Sequence, residues 1–151
     1  MTPRPQGPDL AAWRRAVLSC GGDNLRPFPW RATRDPWAVL VSEVMLQQTQ
    51  APRVAQRFPG FLARYPTPAD CAAAGAGAVL TEWEGLGYNR RALALHRTAT
   101  EITGRFGGVV PDDLASLRSL HGVGPYTARA VLAFAYERPV GVVDVNVARV
   151  L

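Results

Sequence analysis

Two acids stand out for the company they keep: Glu43 in SEVMLQQTQ and Asp144 in VDVNVARV. An acid grouped with a leucine and amides on one side of a helix, or one held at the end of a helix near a reacting sugar, has chemistry open to it. Each acid also has a plainer reading. On its own helix Glu43 reads as a solvent-facing acid, and an Asp just before a helix is most often an N-cap. A third feature is the turn Leu120-His121-Gly122-Val123-Gly124, followed by Pro125-Tyr126-Thr127-Ala128. Two glycines around one apolar residue make a tight turn, and Pro125 sits where a helix tolerates proline best. Unpaired amides at the start of that helix suit a phosphate. A purely structural turn between helices uses the same residues.

Composition narrows the chemistry. The net charge of +5 and a pI near 10.0 favour a polyanionic partner. All 17 basic residues are arginine, so no side-chain amine here can form a Schiff base. Cys20 and Cys71 are far apart, match no metal spacing, and read as reduced thiols. Hydrophobic residues at 48% and charged residues at 19% are ordinary for a soluble globular domain, and 151 residues make one domain or most of one. No run of about 18 apolar residues occurs, which argues against a membrane span. The opening MTPRPQGPDL lacks the apolar core of a secretory signal, so the cytoplasm is the default location.

The elements that must position these groups are helical. Strand-like alternation is nearly absent, and helical periodicity punctuated by Pro and Gly runs throughout, so the fold class is all-α. Asp9 is placed to cap a helix over 10–18. An irregular segment then leads to Phe28-Pro29-Trp30-Arg31. Further helices are predicted over 36–48, 51–64, 68–74, 76–83, 88–106, 112–119 and 125–136, with a last one starting near Asp144. In the helix 36–48, Trp37, Leu40, Val41, Val44 and Met45 form a buried stripe. Stepping about 100° per residue puts Leu46 opposite it, near Glu43, Gln47 and Gln50. Beside an acid, such a leucine is able to fill the gap left by an extruded base. The last residues, VNVARVL, read as the first turns of a helix, as in a fragment of something longer. On this reading residues 1–27 are a lead-in and 28–151 the working domain.

The nine-residue pattern LxGVGxxTA at 120–128 resembles the helix-hairpin-helix element, which grips DNA backbone without reading sequence. PWR at 29–31, RDPWAVLVSEVMLQQTQ at 34–50, WEGLGY at 83–88, GGVVP at 107–111, LHGVGPYTARAV at 120–131 and VDVNVARVL at 143–151 together resemble the endonuclease III-type superfamily of DNA glycosylases. Within it the resemblance is to the MutY-type adenine DNA glycosylases. It implies a monomeric base-excision repair enzyme that removes adenine mispaired with 8-oxoguanine or guanine in double-stranded DNA. Glu43 then falls on the acid that protonates adenine N7 and handles the attacking water, Asp144 on the carboxylate that stabilises the sugar cation, and Asn146 on a residue orienting Asp144. For that role Glu43 needs a pKa raised by burial around the flipped base. Leu46, Gln47 and Gln48 match the segment that plugs the duplex, and Tyr88 the aromatic that intercalates near the damaged guanine. Leu120, Gly122, Val123, Gly124, Tyr126 and Thr127 match the hairpin's DNA-binding positions. Tyr126 stands where lyase-competent relatives carry lysine, which implies a monofunctional glycosylase.

The resemblance also implies a 4Fe–4S cluster on cysteines spaced C-x6-C-x2-C-x5-C and a further domain recognising 8-oxoguanine. Neither is in these 151 residues, and Cys20 and Cys71 cannot substitute as ligands. Two positions depart from the family pattern. Asn89 replaces a second aromatic, and Val145 replaces a glycine after the Asp. Two alternatives stay open: a thymine or uracil mismatch glycosylase of the same superfamily, and a non-catalytic helix-hairpin-helix DNA-binding module.

Overall fold

A computed structural model describes residues 9–150, with side chains to Arg149; the first eight positions of the expected lead-in, and Leu151, lie outside them. Local signals start most helices. Asp9 caps α1 (Leu10–Asp23) by accepting from the amides of Ala11 and Ala12 at 3.0 and 3.1 Å. The helix runs five residues past the predicted end, through two glycines, and none of its residues is buried. A short 3-10 turn, Pro29–Arg31, precedes α2 (Pro36–Leu46). There Asp35 accepts from the Ala38 amide at 2.7 Å and Pro36 supplies a pre-set first turn.

Six more helices follow. These are α3 (Ala51–Arg64), α4 (Pro68–Glu82), α5 (Arg90–Phe106), α6 (Leu114–Arg118), α7 (Pro125–Phe134) and α8 (Val145–Val150). Among the described residues there is no strand, so the fold is all-α as its periodicity implies. The two helices predicted over 68–74 and 76–83 are one element with a break at Gly75, whose φ of 79° is not helical. A reciprocal capping box between Thr67 and Asp70 starts that element. Gly107, at φ 62°, ends α5 in the left-handed conformation that glycine adopts most cheaply.

The helix α2 is the centre of the fold. It packs on α3, α5, α7 and the 3-10 turn, and every residue from Trp37 to Met45 is buried. This corrects the expectation of a one-sided helix with Glu43 facing water. Eight of its eleven residues are Ala, Val, Leu, Met or Trp, so it is apolar nearly all round and is covered on all sides. Fully burying each large side chain here contributes about 1.5–3 kcal/mol, which offsets the cost of enclosing one acid. Trp37 Nε1 donates to the Tyr65 carbonyl at 3.0 Å, and Ser42 Oγ to that of Val39 at 2.8 Å, so these buried donors are paired. On α5, Ala92, Leu95, Ala99 and Ile102 are buried, and Phe106 packs against the core at its edge.

Candidate active site

Glu43 sits on the last full turn of α2, 9% exposed, at the junction of two cavities. The larger, about 800 Å³, is walled by Glu43, Leu46, Gln47, Gln48, Tyr126, Asp144 and Asn146, together with Arg90 and Arg91. The second, about 570 Å³, is reached past the shared residues Glu43, Leu46 and Tyr126, and is lined by Trp30, Arg31, Ser42 and Phe134 among others. Both volumes suit a ligand the size of a nucleobase or nucleoside. Residues 100 positions apart in sequence thus wall one cleft, delivered by α2, by the start of α7 and by the loop before α8.

The loop is steered there by bonds further back. The Tyr136 hydroxyl donates to the Val110 carbonyl, and Arg138 pairs with Asp112 at 2.7 Å, pinning the chain after α7 before it turns toward Asp144. Asp144 then caps α8. It accepts from the amides of Asn146 and Val147 at 2.9 and 2.7 Å, and from the Asn146 side chain at 3.2 Å. The N-cap reading of Asp144 is therefore correct and coexists with its place in the cleft.

The two acids are tuned in opposite directions. Burial raises the Glu43 carboxyl from 4.5 to about 7, and hydrogen bonding from Tyr126 only partly opposes this. Asp144 is held below the usual carboxylate range, first by the Val147 amide and then by the side chain and amide of Asn146. Tyr126 is pushed up to about 12 by its own burial, by the negative potentials of Glu43 and Asp144, and by its bond to Glu43. Near neutral pH the cleft therefore holds a carboxyl able to give a proton, a permanent carboxylate and a neutral phenol. That division of roles between two carboxyl groups is what cleavage of a glycosidic bond requires.

Around the cleft lie the other residues singled out from sequence. Leu46 is half-buried at the end of α2, and Gln47 and Gln48 are exposed just beyond it, Gln48 at φ 57°. Tyr88 is 53% exposed at φ 50°. A left-handed backbone at two non-glycine residues is a cost that surrounding structure must sustain. The hairpin is built as expected, with Gly122 at φ 74° and Gly124 as the N-cap of α7. No side chain caps α7, so its first amides have no side-chain partner. Leu120, Val123 and Thr127 are only 3%, 6% and 3% exposed, so their side chains serve packing and not the surface of the turn. The turn is anchored on α5: Glu101 accepts from the His121 amide at 2.8 Å, and Thr98 donates to the His121 carbonyl.

A family model described as HhH-GPD superfamily base excision DNA repair protein matches residues 41–151. The chain belongs to this superfamily. Among the superfamily's relatives, an adenine DNA glycosylase of Mycobacterium tuberculosis is 52% identical over 127 residues, which are 83% of this chain and 42% of that protein. An adenine DNA glycosylase of Mycolicibacterium smegmatis is 48% identical over 136 residues, 89% of this chain and 46% of the relative. A solved structure of a thermostable thymine-DNA glycosylase superposes with a TM-score of 0.88 at 30% identity, covering 93% of this chain and 65% of that one. The chain spans less than half the length of the two adenine-glycosylase relatives.

Within this HhH-GPD domain, two features escaped sequence reasoning. Trp30 and Arg31 line the second cavity; the PWR stretch carried the resemblance, but neither residue was placed in the site. Arg91 is buried and bonded to both segments beside the cleft, although the tandem Arg90-Arg91 reads as surface charge. The residues present do not fit the iron–sulfur cluster that the resemblance implies. Cys20 is exposed and Cys71 buried on another helix, with its thiol pushed up to about 12 by burial. Among the described residues no cluster of His, Cys, Asp and Glu is placed to hold a metal.

Proposed function

We propose that residues 28–151 are the catalytic portion of a monofunctional DNA glycosylase that hydrolyses the N-glycosidic bond of adenine mispaired with 8-oxoguanine or guanine. The observation that carries this reading is the pair of oppositely tuned carboxyl groups, Glu43 and Asp144, in one cleft. The adenine, turned out of the duplex, occupies the cavity beyond Glu43 next to Trp30, and its sugar faces Asp144. Protonated Glu43 gives its proton to N7, and the C1′–N9 bond breaks with its electron pair leaving on the base. The Asp144 carboxylate stabilises the positive sugar, held in place by its bonds to Asn146 and Val147. Water adds to C1′ as Glu43, now ionised, takes its proton, giving free adenine and an abasic site. Leu46, Gln47 and Gln48 fill the space the base leaves, and Tyr88 stacks beside the opposing guanine. The hairpin amides hold a backbone phosphate. The enzyme acts as a monomer on duplex DNA in the cytoplasm; among the described residues no helix is long and apolar enough to cross a membrane.

Removal of thymine or uracil opposite guanine is the second reading, supported by the close superposition on a thymine-DNA glycosylase. Of the two departures from the adenine-specific pattern, Val145 lines the cleft and Asn89 stands just before Arg90, which also lines it; a change of base would be written there. Mere DNA binding fits poorly, because a binder gains nothing from a buried acid that raises its own pKa. The deciding experiment is single-turnover base release from A:8-oxoguanine, A:G, T:G and U:G duplexes. Release from the first two by the wild type, and none by Glu43→Gln with binding retained, is the expected result. Release only from T:G or U:G overturns the adenine assignment, and binding without release from any duplex overturns the enzyme.

A further inference from the structure

Arg91 is the second residue of α5 and is only 5% exposed, the one buried arginine among the described residues. Its guanidinium holds two segments that are some 40 residues apart. One terminal nitrogen donates to the carbonyls of Val44 at 3.1 Å, Met45 at 2.8 Å and Gln47. The first two are helix-end carbonyls with no partner inside α2, and a cation at a helix C-terminus also complements the helix dipole. The other terminal nitrogen donates to Thr49 Oγ1 at 2.8 Å and to the carbonyls of Leu86 and Gly87 at 3.1 and 2.9 Å. Thr49 Oγ1 itself donates to Leu86 at 3.0 Å, closing the bridge. The guanidinium carbon also lies 5.4 Å from the Tyr88 ring centre and 5.5 Å from that of Trp83.

The bridged segments carry two of the three non-glycine residues at positive φ among the described residues, Gln48 at φ 57° and Tyr88 at φ 50°; the third, Glu137, follows α7 and is not bonded to Arg91. A strained backbone persists only where its surroundings over-determine it, and here the same side chain bonds next to both. We infer that Arg91 is a positioning residue that locks the Leu46–Gln48 segment and the Tyr88 turn into one rigid unit, so that the duplex is opened on one strand and gripped on the other as a single event. Arg91 walls the same cleft as Glu43 and Asp144 but spends its terminal nitrogens on the two segments and forms no hydrogen bond with either acid, so it acts on extrusion of the nucleotide and not on the chemical step. The inference rests on the glycosylase reading for its biological meaning, and on geometry alone for the coupling.

The test uses the full-length protein and a duplex carrying 2-aminopurine opposite guanine, whose fluorescence rises on extrusion and needs no bond cleavage. Arg91→Lys keeps the charge and removes the fork that reaches several acceptors at once. Losing charge-assisted bonds of this kind predicts an extrusion signal formed about tenfold or more slowly. The pH profile of base release, set by Glu43, stays where it is in the wild type. Thr49→Val removes one link without touching charge and guards against misfolding of the lysine variant; a smaller slowing, about threefold or more, is expected, with thermal stability close to wild type. Wild-type extrusion kinetics in both variants overturn the inference. So does slowing that is fully accounted for by the fraction of unfolded protein. A wild type that extrudes but releases no base defeats the glycosylase reading and leaves the Arg91 comparison readable.

Discussion

Replacing Glu43 by Gln tests the central claim of the site through the fold itself. Raising a carboxyl from 4.5 to about 7 by burial means that the folded protein resists ionising Glu43, and at 1.36 kcal/mol per tenfold the penalty comes to about 3 kcal/mol. The sign follows from the direction of the shift. Because the folded pKa lies above the unfolded one, the contribution is fully present below pH 4.5 and is lost as pH rises through about 7. Glutamine has nothing to ionise. The stability of Glu43→Gln minus that of the wild type, measured by urea unfolding across pH 4 to 9, should therefore be flat in acid, climb between about 4.5 and 7, and level off roughly 3 kcal/mol higher. Single-turnover base release by the wild type should fall over the same upper limb, since only protonated Glu43 gives up a proton to the base. A difference curve that stays flat across the range would refute the buried-acid argument, and a release rate that rises above pH 7 would remove Glu43 as the acid.

Asp144→Asn should slow base release about a hundredfold or more while leaving α8 capped, because asparagine is as good an N-cap as aspartate but brings no charge to the sugar; single-turnover rates alongside circular dichroism check this. With Tyr126 in the hairpin and no lysine in these 151 residues, borohydride should trap no crosslink between these residues and abasic DNA, read by denaturing gel and peptide mapping. Tyr88→Ala should cost about tenfold in the preference between 8-oxoguanine and guanine opposite adenine, the scale of one lost base–aromatic stack, with little change in the chemical step. Gly122→Ala should destabilise by about 1–2 kcal/mol and weaken DNA binding, since its φ of 74° strains any side chain and the new Cβ would meet that of Ala94 on α5 at 3.1 Å; thermal melts and a binding titration report both.

How much of this was legible in the sequence depended on whether the controlling interactions were local. Caps and turns were: Asp9 and Asp144 each bond amides two or three residues on, and the hairpin glycines take the conformations their spacing demands. The break at Gly75 was legible for the same reason. What failed was the environment of α2. A stripe at helical spacing was read as the buried face, yet Ala38, Val39 and Ser42 are buried too, because three helices and the 3-10 turn surround it. The signal lay in composition and not in periodicity, since a segment with only Ser42 and Glu43 polar among its interior positions has no face to give to water. Arg91 was harder to read, since its partners on α2 and Thr49 lie more than 40 positions away and only its helical phase with Leu95, Thr98 and Ile102 separates it from Arg90.

The burial of α2 also ties Glu43, the Leu46–Gln48 segment that leaves its end and the core together, as the proposed function needs. A surface acid would titrate near 4.5 and be ionised when a proton is needed. Burying Glu43 in α2 raises its pKa, with the Tyr126 bond opposing only part of the rise, and the apolar contacts of the same helix stabilise the fold that must bear the cost. Rigid placement follows from the same packing, so the residues leaving the end of α2, Leu46 to Gln48, project from a fixed base. The loop to Asp144 has no such core around it and relies instead on hydrogen bonds, from Tyr136, Arg138, Asn146 and Val147. One acid is thus kept protonated by apolar burial and the other ionised by polar bonds, and the chemistry proposed for the cleft rests on that contrast.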